Sequence, residues 1–262
     1  MTPTTATEGR SSTAFILSFP RSGTSLLGQI LAASPDVVLL EEPQLLNAIA
    51  SDLVEASDGI ATLAALSNDA LERYRARYWA GVRGQGVAAQ DKLVVDQTAL
   101  NTIYLPAIWR FFPHAPVIFI IRDPRDVVFS CFRRQFEPNP FTLEFHSLES
   151  TTRFYDRTMA FADMCRDKTG RSTIDVRYED VVADFDGETQ RLCARLGIAW
   201  LPGMRDFQRA GENRTLVTRS APQLRRGLTS DSIGAWRRYR EQMQPVLPTL
   251  GPWVERFGYP RD

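Results

Sequence analysis

The run Ala14-Phe15-Ile16-Leu17-Ser18-Phe19, followed at once by Pro20-Arg21-Ser22-Gly23-Thr24-Ser25, decides the fold. Its first half is apolar and β-prone. Its second half is a tight turn with one glycine. Leu26 to Ala33 then carries Leu27, Ile30 and Leu31 at helical spacing. Ser34-Pro35 ends that helix, because proline cannot continue it and restrains the residue before it. A strand that passes through a Gly-bearing loop into a helix is a cradle for anions: backbone N–H groups converge there, and the positive end of the helix dipole favours negative charge. Arg21 adds a charged fork, and Thr24 and Ser25 add hydroxyl donors. A plain strand-to-helix turn reads the same way, so the loop alone leaves both options open. It lacks the G-x-x-x-x-G-K-[ST] lysine of nucleoside triphosphatases, which counts against a magnesium-dependent kinase or GTPase.

Outward from the loop, Val37 to Leu40 is a second strand running into Glu41-Glu42-Pro43. Residues 45–82 read as helical with breaks near 57–59 and 67–69. Leu93-Val94-Val95 is a third strand, followed by Asp96-Gln97-Thr98 and an amphipathic helix to about Phe112. Val117 to Ile121 is apolar throughout, as a strand buried on both faces should be. A helix follows through Gln135, then a loop over 136–150, then a helix over about 151–168. Ser172 to Val176 is a further strand, followed by Arg177-Tyr178-Glu179-Asp180 and one helix to Leu196. Residues 202–232 are polar, irregular and rich in arginine, and a final helix starts near Ser232 or Ile233. Strands alternating with helices predict a single α/β domain with a central parallel sheet flanked by helices. The expected layout is a disordered tail over 1–12 and one domain over 13–262, with no internal repeat and no linker.

Composition narrows the function. Lys+Arg and Asp+Glu are both 31, so the formal charge is zero. General nucleic-acid binding needs a basic surplus to displace counterions, so no nucleic-acid partner is expected. Any anion site must be local and built from a few arginines. Cys131, Cys165 and Cys193 form no C-x-x-C pair and read as buried or idle thiols. With His114 and His146 the only histidines, a zinc centre is not expected, and no metal is. The polar, Thr-rich N-terminus lacks the apolar core of a signal peptide, and no stretch reaches the about 18 apolar residues of a membrane span. The expected location is therefore the cytoplasm, with no membrane partner. The oligomeric state is left open, a homodimer among the options.

A second anion site suggests itself. Arg122 stands at the C-terminal edge of the 117–121 strand, where open α/β sheets bind ligands. Ser130 lies two turns into the following helix, and Arg134 shares its face by i,i+4 spacing. An arginine, a hydroxyl and a second arginine suit a phosphate monoester. Local pairing of Arg122 with Asp123 and Arg125 with Asp126 is the competing account, and spacing does not choose between them.

With these segments quoted, the chain resembles sulfotransferases that use 3′-phosphoadenosine 5′-phosphosulfate (PAPS), in particular the branch with tyrosylprotein sulfotransferases and bacterial relatives. FPRSGTSLL, residues 19–27, is similar to the 5′-phosphosulfate loop, and RDPRDVVFSCFRR, residues 122–134, to the 3′-phosphate site. RYEDVVADF, residues 177–185, and TRSAPQLRRGLTSDSIGAWRRY, residues 218–239, follow in the family's order. The resemblance implies a P-loop-like sulfotransferase fold and no metal requirement. The product would be adenosine 3′,5′-bisphosphate (PAP). It implies nucleotide contacts from Arg21, Ser22, Gly23, Thr24 and Ser25, from Arg122, Ser130 and Arg134, from Tyr178 at the adenine, and from Ser220, Gln223, Arg225 and Arg226 in the C-terminal segment.

The resemblance also implies a catalytic base. Glu42, in Leu40-Glu41-Glu42-Pro43, matches the branch's catalytic glutamate by register. A helix-capping role for Glu41 and Glu42 is the plainer alternative. His146 follows the 3′-phosphate strand, whereas the histidine base of small-molecule sulfotransferases precedes it. One departure stands out: Gln97, in Asp96-Gln97-Thr98-Ala99, takes the place of the lysine that bridges sulfuryl group and leaving oxygen. Either Arg21 and Gln97 suffice for that task, another cation reaches in, or the enzyme is slow or inactive. The acceptor is a hydroxyl, on a small metabolite or natural product or on a tyrosyl peptide. Residues 45–90 and 136–165 would line its site, although most of their aromatics read as core. The alternatives are an ATP-dependent phosphotransferase and a degenerate fold that binds nucleotide without turnover.

Overall fold

The computed structural model describes residues 13–208 and 230–261. The expected tail over 1–12 lies outside them. Five strands form one parallel sheet in the order β2-β3-β1-β4-β5. They are β1 Thr13–Leu17, β2 Val37–Glu41, β3 Leu93–Gln97, β4 Val117–Ile121 and β5 Ile174–Arg177. The helices between and after them are α1 Thr24–Ala32, α2 Leu45–Glu55, α3 Gly59–Ala65, α4 Asn68–Gly84, α5 Leu105–Phe111, α6 Pro124–Phe132, α7 Leu148–Thr169, α8 Tyr178–Ala183 and α9 Phe185–Leu196.

Sequence alternation sends side chains to two cores. Phe15, Leu17, Val94, Val117 and Phe119 face one, which also holds Tyr78, Trp109, Phe111, Tyr155, Trp236 and Trp253. Ala14, Ile16, Val95, Ile118 and Ile120 face the other, against Leu27, Ile30, Leu31, Leu192 and Leu196 of α1 and α9. Burial on both faces is why β1 and β4 carry no polar alternation.

Register sets the site. Leu17 pairs with Phe119, Glu41 with Gln97, and Ile121 with Arg177. All five strands therefore end along one edge. Arg21, Glu42, Arg122 and Tyr178 lie on the segments just past the strand ends, and Gln97 is itself a terminal strand residue.

Several elements differ from the sequence reading. β3 continues through Asp96 and Gln97, because Glu42 N–H donates to the Gln97 carbonyl at 2.9 Å and prolongs the ladder. The helix after Thr98 is a 3₁₀ turn, Ala99–Tyr104, and then α5, with Pro106 in the first turn of α5. The 136–150 loop contains a 3₁₀ turn, Thr142–His146, and α7 starts early because Ser147 Oγ accepts from Ser150 N at 3.0 Å. The helix expected up to Leu196 is two, since Asp184 leaves helical geometry and caps α9 through Gly187 N at 3.0 Å. The final helix is three pieces, Ala235–Tyr239, Arg240–Met243 and Leu247–Arg256. Pro245, which has no amide hydrogen, falls between the last two.

Candidate functional site

The loop after β1 wraps the start of α1. Gly23 caps the helix at φ 111 and ψ 11, with no side-chain cap. The first-turn amides of a helix have no intrahelical acceptor and point at whatever lies ahead of it. Ser22, Thr24 and Ser25 are all buried there. Gly23 is needed on two grounds. Its φ is one that residues with a Cβ rarely adopt, and a Cβ would stand 2.7 Å from Tyr178 Cδ2. Arg21 is also left-handed, at φ 71. A non-glycine residue in that region is strained, and such strain clusters at functional sites.

Arg21 joins the loop to the second segment. Its Nε donates to Ser130 Oγ on α6 at 3.2 Å. Arg122 sends Nη1 to the Arg21 carbonyl at 2.9 Å and Nη2 to the Ser232 carbonyl at 2.7 Å. Its guanidinium carbon lies 4.7 Å from the centre of the Tyr178 ring. The Tyr178 hydroxyl is 3.2 Å from the Ser232 hydroxyl. The local pairings weighed for this segment divide. Arg125, not Arg122, pairs with Asp123, at 2.7 Å. Asp126 instead accepts the amides of Gly234 and Trp236, at 2.6 and 3.0 Å. Among the described residues Arg122 has no carboxylate partner, and it is turned toward the loop.

Arg134 needs a correction. The sequence put it on the α6 face of Ser130, but α6 ends at Phe132, with Arg133 as its C-cap. Arg134 follows the cap, its amide bonded back to the Cys131 carbonyl at 3.2 Å. It still belongs to the cluster electrostatically. Burial, opposed by Cys131 and aided by the nearby charges of Arg134, Arg122 and Arg133, lowers the Arg21 guanidinium to about 10. Four guanidiniums crowded this way favour an anion in their midst.

On the other side of the loop, Gln97 is fully buried and its Nε2 donates to Thr24 Oγ1 at 3.3 Å. It reaches the loop from beneath, through a threonine, where a lysine's longer stem would present a charge. Glu42 is exposed at the end of β2, with φ 46, and Gln44 follows at φ 53. Glu41 accepts from Gln29 on α1. Glu42 stands on the strand-end edge. His146 is exposed on its 3₁₀ turn and bonded to the Leu143 carbonyl. Ser220, Gln223, Arg225 and Arg226 lie outside the described residues.

The aromatics of residues 45–90 and 136–165 are mostly core. Tyr78, Phe145 and Tyr155 are buried, and Tyr74 stacks on Phe111 at 4.7 Å. Phe141 and Leu143 are exposed. Sequence reasoning passed over Asp126, Ser232, Gly234 and Trp236, though the last three stand in the quoted 218–239 segment. Asp96, 0 % exposed beneath the edge, accepts from Tyr78 at 3.1 Å and from Thr98 and Asn101 at 3.3 and 3.4 Å.

A family model described as "Sulfotransferase family" matches residues 14–202. The chain belongs to the sulfotransferase family. Protein-tyrosine sulfotransferase A of Caenorhabditis elegans is 25% identical over 257 residues, covering 94% of this chain and 66% of that protein. Across the curated relatives it matches, the chain spans from about one third to about two thirds of their length. A sulfotransferase domain from the curacin biosynthetic pathway superposes with a TM-score of 0.62 at 16% identity, over 96% of this chain and 99% of that one. A mouse sulfotransferase complexed with PAP gives 0.52 at 12%, over 95% and 89%. These structural likenesses establish the fold: one α/β sulfotransferase domain around a parallel sheet. Among the described residues no helix is long and apolar enough to cross a membrane. No group of three or more His, Cys, Asp or Glu among them could hold a metal ion.

Proposed function

We propose that this chain transfers the sulfuryl group of PAPS to a hydroxyl acceptor. One observation carries the reading: two cationic cradles on one sheet edge are joined directly, through Arg21 Nε and Ser130 Oγ at 3.2 Å. A nucleotide with anionic groups at both the 5′ and the 3′ position has charge for each cradle, whereas ATP has all its phosphates at one end. The residues fit such a group. Arg122 Nε is buried and has no hydrogen-bond partner among the described residues, and the space a Cβ would take at Gly23 is filled by Tyr178. The PAP bound by the mouse relative is the product such a reaction would leave.

PAPS supplies a sulfuryl group whose S–O bond to the nucleotide breaks as the bond to the acceptor oxygen forms. The chain has to hold both partners in line and stabilise charge on the leaving oxygen. The α1 amides, Ser22, Thr24, Ser25 and Arg21 hold the 5′ end. Arg122, Ser130 and Arg134 hold the 3′-phosphate, and Tyr178 meets the adenine. Glu42 takes the acceptor's proton, and its strained left-handed backbone is what a residue held in place for chemistry would show. Gln97 brings no charge. It fixes Thr24 by donating to its oxygen, which leaves the threonine hydroxyl to donate into the loop. Arg21 is then the cation nearest the transferred group. No metal is required. The acceptor is a small hydroxylated metabolite or a tyrosyl peptide, the second suggested by the named activity of the nematode relative.

The test is transfer of radiolabel from sulfur-labelled PAPS to a panel of phenols, sugars and tyrosyl peptides. Labelled product with release of PAP, in the presence of a metal chelator, is the expected result. PAP binding without transfer to any acceptor would favour the non-catalytic alternative.

A further inference from the structure

Asp126 is 1 % exposed and sits in the first turn of α6. Its two carboxylate oxygens are spent on backbone amides more than a hundred residues away, Oδ2 on Gly234 N–H at 2.6 Å and Oδ1 on Trp236 N–H at 3.0 Å. Both are charge-assisted bonds in a buried setting. The same turn is pinned twice more. Trp236 is fully buried, with the Arg125 guanidinium 4.3 Å from its ring centre. Gly234 adds φ 68, a left-handed conformation that favours glycine. The chain just before this anchored turn is Ser232.

Ser232 is delivered to the second anion site by that anchor. Its carbonyl accepts Arg122 Nη2 at 2.7 Å, and its hydroxyl lies 3.2 Å from the Tyr178 hydroxyl. Arg122 therefore spends both terminal nitrogens on protein carbonyls, on Arg21 and on Ser232. Its Nε remains buried and without a partner among the described residues, in a residue only 6 % exposed. An unpaired nitrogen of a buried guanidinium is costly, so it points to a ligand atom that completes the site. A serine hydroxyl donates one hydrogen bond and accepts two. With the phenol donating into it, the Ser232 hydroxyl keeps its own proton for an anionic oxygen beside Arg122.

We infer that Ser232 is a further nucleotide-binding residue, donating its hydroxyl to the 3′-phosphate, and that Asp126 is the positioning residue that holds it there. This rests on the PAPS reading above. It assigns the 232–236 turn a part in ligand recognition.

Calorimetric titration with PAP and with adenosine 5′-monophosphate, which lacks the 3′-phosphate, tests it on the whole chain. Ser232→Ala should weaken PAP about tenfold, the scale of one hydrogen bond to a charged group. Its affinity for the monophosphate should stay as in the parent chain, and Ser232→Thr should retain PAP binding. Asp126→Asn replaces one acceptor oxygen by a donor facing an N–H, and should weaken PAP selectively in the same way. Should Asp126→Asn fail to fold, the serine variants decide. The inference is overturned if Ser232→Ala binds PAP like the parent, or loses both nucleotides equally, as a general packing defect would. Failure of the parent chain to bind PAP at all is a separate outcome, which sinks the PAPS reading and the inference with it.

Discussion

Gly23→Ala tests how tightly the loop and the second anion site are built together. Gly23 adopts φ 111, and the new methyl would stand 2.7 Å from Tyr178 Cδ2. Ordinary carbon contacts are about 3.5–4.0 Å, so the ring must retreat by about 1 Å. The backbone strain of an L-residue in that region is about 1–3 kcal/mol. Against a typical stability of about 5–15 kcal/mol, the variant stays folded. Its melting temperature should fall by about 2–4 °C for each kcal/mol lost in a chain of this size. The larger effect is on binding. Tyr178 lies under the Arg122 guanidinium and bonds to Ser232, so a displaced ring disturbs both. PAP affinity should drop by about tenfold or more. Calorimetry and a thermal melt measure the two effects separately. Tyr178→Ala removes the collision, so Gly23→Ala should cost much less affinity in that background than in the parent, a coupling that a double-mutant cycle reads directly. The reasoning fails if Gly23→Ala melts lower but binds PAP as the parent does, because the glycine would then serve the turn alone.

Three further outcomes follow from the same geometry. Glu42→Gln should lower kcat by about 10²–10⁴, the usual worth of a general base, and leave PAP affinity unchanged; an unchanged kcat removes Glu42 from the chemistry. Arg122→Lys keeps the charge but loses the planar fork that reaches Arg21 and Ser232 together, so PAP affinity should fall by about tenfold or more, and equal binding would mean that charge alone suffices. Burial raises the Asp96 carboxyl to about 7 from an ordinary 3.8, with the Tyr78 and Thr98 hydrogen bonds opposing. Between those values the folded state binds the extra proton, so this group's contribution to stability declines as pH rises through the window and is flat above it. Asp96→Asn should abolish that decline, and the difference in urea midpoint between parent and variant should change between about pH 4 and about pH 7; a constant difference contradicts the assignment.

The middle of the sheet was legible because β1, β3 and β4 are buried on both faces. Val117 to Ile121 has no polar residue to confuse it, and the Pro20–Ser25 turn breaks β1 from α1 with a glycine whose φ only glycine accepts readily. Strand ends were less legible. Asp96 and Gln97 look like turn residues, yet Asp96 accepts from Tyr78 and Gln97 donates to Thr24, partners 18 and 73 positions away. Helix ends misled for local reasons: Asp184 both ends α8 and caps α9, and α6 stops two residues short of Arg134. Arg21, Arg122 and Ser130 were singled out from their places just past a strand or on the helix that follows, and Tyr178 from the family resemblance; the structure brings the four together. Asp126 and Ser232 were not singled out. Their connection runs through backbone amides of Gly234 and Trp236, and a backbone amide leaves no residue-type signature.

The central claim is that the two cradles hold one nucleotide with charge at both ends of its ribose. Calorimetric titration of the chain with PAP in the presence of a chelator, set beside ATP with and without magnesium, tests it most directly. The account predicts tight PAP binding without metal and far weaker binding of ATP under either condition. Tight ATP binding that depends on magnesium, with no heat from PAP, would contradict it.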